Sequence, residues 1–414
     1  MLLEHLTRQR LEREASARVR RRRVAESPCA PRQVVEGAGG AEGVPRELLN
    51  FGSNDYLGLA SHSAVVAALA EGAQRWGAGS GASYLVTGHS RAHARLEAEL
   101  AERLSPWVPD ARALLFCSGY MANLAVLTTL GTESAAIFAD KLNHASLIDG
   151  GLLADARMRR YPHGRLDLLE SMLRECAQPI RLIVTDAVFS MDGDVADLPA
   201  LLDLAERHDA WLIIDDAHGF GVLGAQGEGA LAHFGLRSER LIYMGTLGKA
   251  AGVAGAFVAA HPVVIDALVQ GGRSYIYTTA MPPALAHALS ASVALIAGDE
   301  GVLRRRQLAA LTRTLRDRLA AIIARHPACG WQLAASDTPI QALIVGDNAA
   351  ALALAAALDA QGLWVPAIRP PTVPVGSARL RITLSAAHTL DDVHRLCDAL
   401  EVLASAPIAT GAIA

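Results

Sequence analysis

The sequence predicts an α/β protein: a large domain built on a mostly parallel sheet with helices on both faces, and a smaller α/β domain after it. Three observations carry this. The chain has 414 residues, more than a single small core accommodates. Apolar residues make up 51% and charged residues 19%, the balance of a packed enzyme rather than a disordered chain. From about residue 110, short apolar runs alternate with helix-like segments, the pattern of parallel strands joined by crossover helices. The expected division is an N-terminal helix and connector at 1–49 packing with the small domain, a large domain at 50–295 and a small domain at 296–414.

Taken in order, residues 2–23 read as a helix, with Leu2, Leu3, Leu6 and Leu11 on a loose apolar stripe and Arg20, Arg21, Arg22 and Arg23 at its solvated end. A connector rich in glycine and proline follows, through Pro28, Pro31, Gly37, Gly39, Gly40, Gly43 and Pro45. Buried strands are expected at 113–116, 135–139, 181–185, 211–215, 241–244 and 256–259, with a helix at 198–208 among the connections. A long helix at 302–325 leads to strands near 339–345, 364–368 and 379–384, a helix at 349–361 and a last helix from Leu390.

Composition also excludes several classes. A formal charge of −4 offers no general attraction to nucleic acid or anionic membrane. The five cysteines, Cys29, Cys117, Cys176, Cys329 and Cys397, form no CxxC pair, which argues against both a disulfide framework and a zinc site and for a reducing compartment. The uncharged stretches 113–132 and 274–298 are interrupted by residues such as Asn123, Pro282, Pro283 and His287, so neither reads as a membrane span. With no signal-peptide layout, the expected location is the cytoplasm.

The candidate chemistry sits where strands end, because ligands in open parallel sheets bind beyond the carboxyl ends. The strand 211–215 ends in Asp215-Asp216-Ala-His218, placing two acids and a histidine at that edge. Lys249 follows the strand 241–244 in a small-residue loop, Gly245-Thr246-Leu-Gly-Lys249. A Walker A loop would need Gly at 243 and Ser or Thr at 250; the residues are Tyr243 and Ala250, so the nucleotide reading fails. Ser118-Gly119-Tyr120 opens a helix whose first-turn N–H groups suit a phosphate. No HExxH or GxSxG motif occurs. A lysine for a Schiff base, an acid for a pyridine nitrogen and a helix N-terminus for a phosphate are together the parts that pyridoxal phosphate requires.

The chain resembles the α-oxoamine synthase family from about residue 15 to 400. The resemblance rests on Asn50-Phe-Gly-Ser-Asn-Asp-Tyr-Leu-Gly-Leu59, Asp140-Lys-Leu-Asn-His144-Ala-Ser, Phe189-Ser190-Met-Asp-Gly-Asp194, Asp215-Asp-Ala-His218-Gly, Gly245-Thr-Leu-Gly-Lys249 and Arg379-Leu-Arg381. The segment Ala367-Ile-Arg369-Pro-Pro-Thr372-Val-Pro resembles the branch that joins L-alanine to a pimeloyl thioester, on CoA or a carrier protein, more than the glycine C-acetyltransferases, 5-aminolevulinate synthases or serine palmitoyltransferases.

The resemblance implies an aspartate-aminotransferase-like fold (PLP fold type I), usually a homodimer with shared active sites. It implies that Lys249 carries pyridoxal 5'-phosphate and moves the α-proton, that Asp215 pairs with the pyridine nitrogen, that His218 and Ser190 approach the ring hydroxyl and that His144 stacks on the ring. Gly119, Tyr120 and Thr246 would surround the cofactor, with Thr278 reaching the phosphate of the neighbouring subunit. Arg381 would clamp the amino-acid carboxylate. Thr372 and an arginine of the 20–23 run, Arg21 by preference, would lie near the acyl substrate. Ala82, Phe220 and Leu247 depart from residues common in relatives and bear on pocket shape. Two rivals are weighed: a sister synthase such as glycine C-acetyltransferase, and a non-enzymatic protein on the same fold whose arginine run touches nucleic acid.

Overall fold

A computed structural model of the chain describes residues 1–36 and 45–405; the connector glycines Gly37, Gly39, Gly40 and Gly43 lie outside the described residues. The described chain divides into two units. One comprises 1–56, 191–194 and the residues from 306 on; the other comprises 57–190 and 195–305.

The second unit holds a seven-stranded sheet in the spatial order Arg112–Phe116, Ala256–Ala260, Leu241–Thr246, Trp211–Asp215, Ile180–Asp186, Ala135–Asp140, Arg157–Tyr161. Ala256–Ala260 runs antiparallel to both neighbours, and every other pairing is parallel. The sequence-based expectation of a mostly parallel α/β sheet is therefore met. Ala135–Asp140, Leu241–Thr246 and Ala256–Ala260 are buried at every position, so neither face of the sheet meets water there. Fully burying a side chain such as Ile137, Phe138 or Ile214 contributes about 1.5–3 kcal/mol each.

All six expected strands of this sheet form, each within a residue or two of its expected limits. The seventh, Arg157–Tyr161, was not foreseen. Its sequence Arg-Met-Arg-Arg-Tyr has no apolar run, because it pairs on one side only and buries Tyr161 alone, leaving Arg157 and Arg160 exposed and Met158 and Arg159 half-buried.

The first unit contains a four-stranded antiparallel sheet, Gln332–Leu333, Ile340–Gly346, Ala378–Thr383 and Ala367–Ile368, and a three-stranded mixed sheet, Arg32–Val35, Arg46–Asn50 and Leu363–Trp364, whose last strand pairs in parallel. The single strand expected at 364–368 is thus two short ones in different sheets, separated by Val365-Pro366.

The helix expected at 2–23 is shorter. It runs Leu2–Ala15, and none of its residues is buried. Ala17 takes a left-handed φ of 53°, Ala17 N–H donates to the Glu14 carbonyl and Arg18 N–H to the Arg13 carbonyl, which together close the helix in a Schellman turn. Arg20, Arg21, Arg22 and Arg23 are therefore not a helix end. They lie in irregular chain, where Arg23 pairs with Asp359 at 2.5 Å and its guanidinium lies over Trp364. Among the described residues no helix is long and apolar enough to cross a membrane; the stretch 113–132 is the strand Arg112–Phe116 and the helix Gly119–Leu130.

Candidate active site

Parallel strands bring their carboxyl ends to one edge, and the expected residues collect there. Ser118 follows the strand Arg112–Phe116 as N-cap of the helix Gly119–Leu130, its Oγ accepting from Met121 N–H at 3.3 Å. The amides of Gly119 and Tyr120, in the first turn, have no partner within the helix and carry the positive end of its dipole. His144 is the N-cap of the helix Ala145–Leu153, after the strand Ala135–Asp140. Asp215 closes its strand, with His218 in the turn beyond it. Thr246 closes Leu241–Thr246, and Lys249 lies in the next turn.

These side chains surround a cavity of about 160 Å³, lined by Gly119, Tyr120, His144, Asp215, His218, Thr246 and Lys249 together with Asn123, Ser146, Asp186, Ala217 and Met244. A larger cleft of about 460 Å³, lined in part by Arg103, Trp107 and Glu228, contains none of the expected residues.

Two turns fix the reacting groups. Gly252 N–H donates to the Lys249 carbonyl at 2.8 Å, closing the lysine turn. Gly252 has φ of 69°, and a side chain there would come within 2.4 Å of the Ala60 backbone nitrogen, so only glycine fits. In the histidine turn, a side chain at Gly219 would meet Asp216 Oδ1 at 2.0 Å. Lys249 Nζ ends 2.8 Å from His218 Nε2.

Asp215 is buried and accepts from Asn123 Nδ2–H at 2.7 Å and from Ala217 N–H at 3.0 Å. Both donors are neutral. A buried carboxylate held this way is stabilised by a cation in the cavity, and a protonated pyridine nitrogen is such a cation. Asn123 Oδ1 is also buried without a hydrogen-bond partner. Together with the helix N-terminus at Gly119 and the amine of Lys249, the donor set fits pyridoxal phosphate.

Charge in the site is strongly shaped by burial. Asp186 is the direct cross-strand neighbour of Asp215, and its carboxyl is held well above the ordinary range, first by burial and then by the charge of Asp215. Burial holds the His144 imidazole below its ordinary value, with Asp215 and Lys249 pulling in opposite directions. Asp216 faces away from this chemistry: its Oδ2 accepts from Ala230 N–H at 2.7 Å and from the Tyr243 hydroxyl at 2.8 Å. Burial pushes its carboxyl up to about 7.

Other expected residues lie elsewhere. Ser190 is in the turn after Val188, and Thr278 in the bend beyond the helix Arg273–Ile276; neither lines the cavity. Arg381, Thr372 and Arg21 belong to the other unit. Arg381 is buried on the strand Ala378–Thr383 and donates to Asn54 Oδ1 at 3.2 Å and Thr383 Oγ1 at 2.9 Å. Thr372 is exposed, and the guanidinium that reaches it, at 3.4 Å, is that of Arg20; Arg21 is exposed as well. Arg369 donates to the Ala17 carbonyl at 2.5 Å, so its guanidinium ties this loop to the N-terminal segment.

Asn123, Ser146 and Asp186 were missed as site residues. Asn123 and Ser146 each stand within a few residues of a recognised motif position, and a count of one helical turn from Gly119 would have found Asn123.

Comparison with known proteins agrees with this geometry. The family model of aminotransferase class I and II matches residues 46–400. The 8-amino-7-oxononanoate synthase of Leptothrix cholodnii is 69% identical over 404 residues, 98% of this chain and 99% of its own length. Among solved structures, an SPT with a PLP internal aldimine matches with a TM-score of 0.85 at 27% identity, over 96% of this chain and 95% of that one. The 8-amino-7-oxononanoate synthase of Francisella tularensis matches with a TM-score of 0.71 at 31% identity, over 86% of this chain and 97% of that one. The chain belongs to the aminotransferase class I and II family.

Proposed function

We propose that this protein is a pyridoxal-phosphate-dependent acyltransferase that condenses L-alanine with a pimeloyl thioester, releasing CO2 and free thiol and forming 8-amino-7-oxononanoate, a step of biotin biosynthesis. The observation that carries the chemistry is the single cavity holding Lys249, His218 and buried Asp215 at the strand ends. The choice of substrates rests on relatives such as the 69% identical synthase.

Lys249 would anchor the cofactor through its aldehyde and, once released, serve as the base and acid at the α-carbon of alanine. Asp215 would hold the ring nitrogen protonated, His144 would cover one ring face and the amides at Gly119 and Tyr120 would receive the phosphate. Thr246, whose Oγ1 donates to the Gly255 carbonyl at 3.2 Å, would border the phosphate, while His218 and Ser190 would approach the ring hydroxyl. When bound, the protonated ring supplies an electron sink for the pair left at the α-carbon.

Arg381 would hold the alanine carboxylate in a forked pair of hydrogen bonds. Thr372 would lie near the acyl chain, and the Arg20 contact makes Arg20 a better companion than Arg21 for that role. A homodimer with shared sites is the assembly we propose, by the resemblance to its family, with Thr278 serving the neighbouring site.

The test is a crossed product assay, alanine or glycine with pimeloyl or acetyl thioester. Turnover of the alanine and pimeloyl pair supports the proposal, and preference for glycine with acetyl thioester would make the chain a sister synthase. Parallel runs with CoA and carrier-protein thioesters identify the acyl carrier.

A further inference from the structure

We infer that Asn123 and Ser146 are positioning residues that fix His144 as the neutral tautomer with its proton on Nε2. Three hydrogen bonds make the case. Asn123 Nδ2 donates to Asp215 Oδ2 at 2.7 Å and to Ser146 Oγ at 2.9 Å. Ser146 Oγ in turn lies 2.8 Å from His144 Nδ1. The amide of Asn123 has one orientation here, because its carbonyl oxygen turned toward Asp215 would face a carboxylate. Both of its N–H donors are then spent, one on Asp215 and the other on Ser146.

The direction of the last bond follows. Ser146 is buried, its oxygen already accepts from Asn123, and the only acceptor its hydroxyl meets among the described residues is His144 Nδ1. Were Nδ1 protonated, that hydroxyl hydrogen would be buried without an acceptor. A second donor agrees: Ser146 N–H points at the same Nδ1, 3.3 Å away, as the helix cap. Nδ1 therefore carries a lone pair, and the ring proton belongs on Nε2. Asp186 completes the clamp by accepting from His144 backbone N–H at 2.7 Å.

The charged groups around the ring are Asp215 and Asp149, which favour a second proton, and Lys249, which opposes it; burial outweighs them and keeps the imidazole neutral. The consequence for chemistry is a ring that offers a fixed N–H donor and no positive charge beside Lys249. The tautomer follows from hydrogen bonds alone; only the use of the Nε2–H toward a bound substrate or cofactor rests on the function proposed above.

The test is ¹⁵N NMR of histidine-labelled full-length protein across pH 5–8, with and without added pyridoxal phosphate, the His144 signal being assigned by its loss in His144→Asn. The expected wild-type spectrum shows Nδ1 unprotonated and Nε2 protonated, with no second protonation at the ordinary histidine value of 6.5. In Ser146→Ala the proton is expected to distribute between the two nitrogens, and Ser146→Thr, which keeps the hydroxyl, is expected to restore the wild-type pattern. A protonated Nδ1 in the wild type, or an unchanged tautomer in folded Ser146→Ala, would overturn the inference. If Ser146→Ala does not fold, the wild-type spectrum decides alone. The visible band formed on adding pyridoxal phosphate reports on the cofactor reading separately, so the two can fail independently.

Discussion

At the scale of single residues, the site is a set of charges placed where burial gives them unusual strength. Lys249 has no substitute within the cavity as a primary amine. Lys249→Ala is expected to lose turnover and the visible band that forms on titration with pyridoxal phosphate; a band of wild-type intensity in that variant would remove Lys249 from its role. Asp215→Asn keeps the shape of the side chain and loses the charge that, on the proposed reading, would favour a protonated ring. Turnover is expected to fall by about 100-fold or more, equal to about 2.7 kcal/mol of barrier, as read from initial rates. Arg381→Lys keeps a positive charge and loses the planar fork, so KM for alanine should rise by about tenfold, with KM for the thioester little changed. Lys249, His218 and Asp215 were legible in the sequence because each follows a strand end in a motif with few alternatives. Asn123, Ser146 and Asp186 were not, because an asparagine one helical turn into a helix, a serine after a cap and an aspartate at a strand end all have ordinary structural uses, and only the folded arrangement brings the set together, through the Asn123 hydrogen bonds to Asp215 and Ser146 and the cross-strand pairing of Asp186 with Asp215.

At the scale of elements, the strand Trp211–Asp215 and its following turn place one aspartate in the cavity and the next one in the protein interior. Asp216 holds that turn through Ala230 and Tyr243, and its carboxyl is raised from 3.8 to about 7 by burial. The folded state therefore binds a proton that the unfolded chain has released between pH 4 and 7, so Asp216 favours folding at low pH and this contribution is lost as pH rises through about 7. Asp216→Asn is expected to flatten the dependence of Tm on pH over that window, measured by thermal denaturation from pH 5 to pH 8; an unchanged slope would show that Asp216 does not carry it. Elements buried on both faces were readable as apolar runs. Arg157–Tyr161, an edge strand of polar side chains, gave no such signal, and the end of the first helix at Ala15 depended on a left-handed alanine, which no residue preference announces.

At the scale of the whole molecule, fold class and chemistry were legible because parallel strands must deliver their ends, and the motifs on them, to one edge of the sheet. Assembly was not legible in the same way, since no strand end or motif position encodes it. Sedimentation of the purified protein is expected to give twice the 43.5 kDa chain mass, and a monomer with full activity would exclude shared sites. The central claim is the reaction itself. Its most direct measurement is mass detection of 8-amino-7-oxononanoate, with CO2 counted in equal amount, from purified protein given pyridoxal phosphate, L-alanine and a pimeloyl thioester. The account predicts both products, neither of them formed by Lys249→Ala; product from glycine and acetyl thioester instead, or none from any pair, would contradict it.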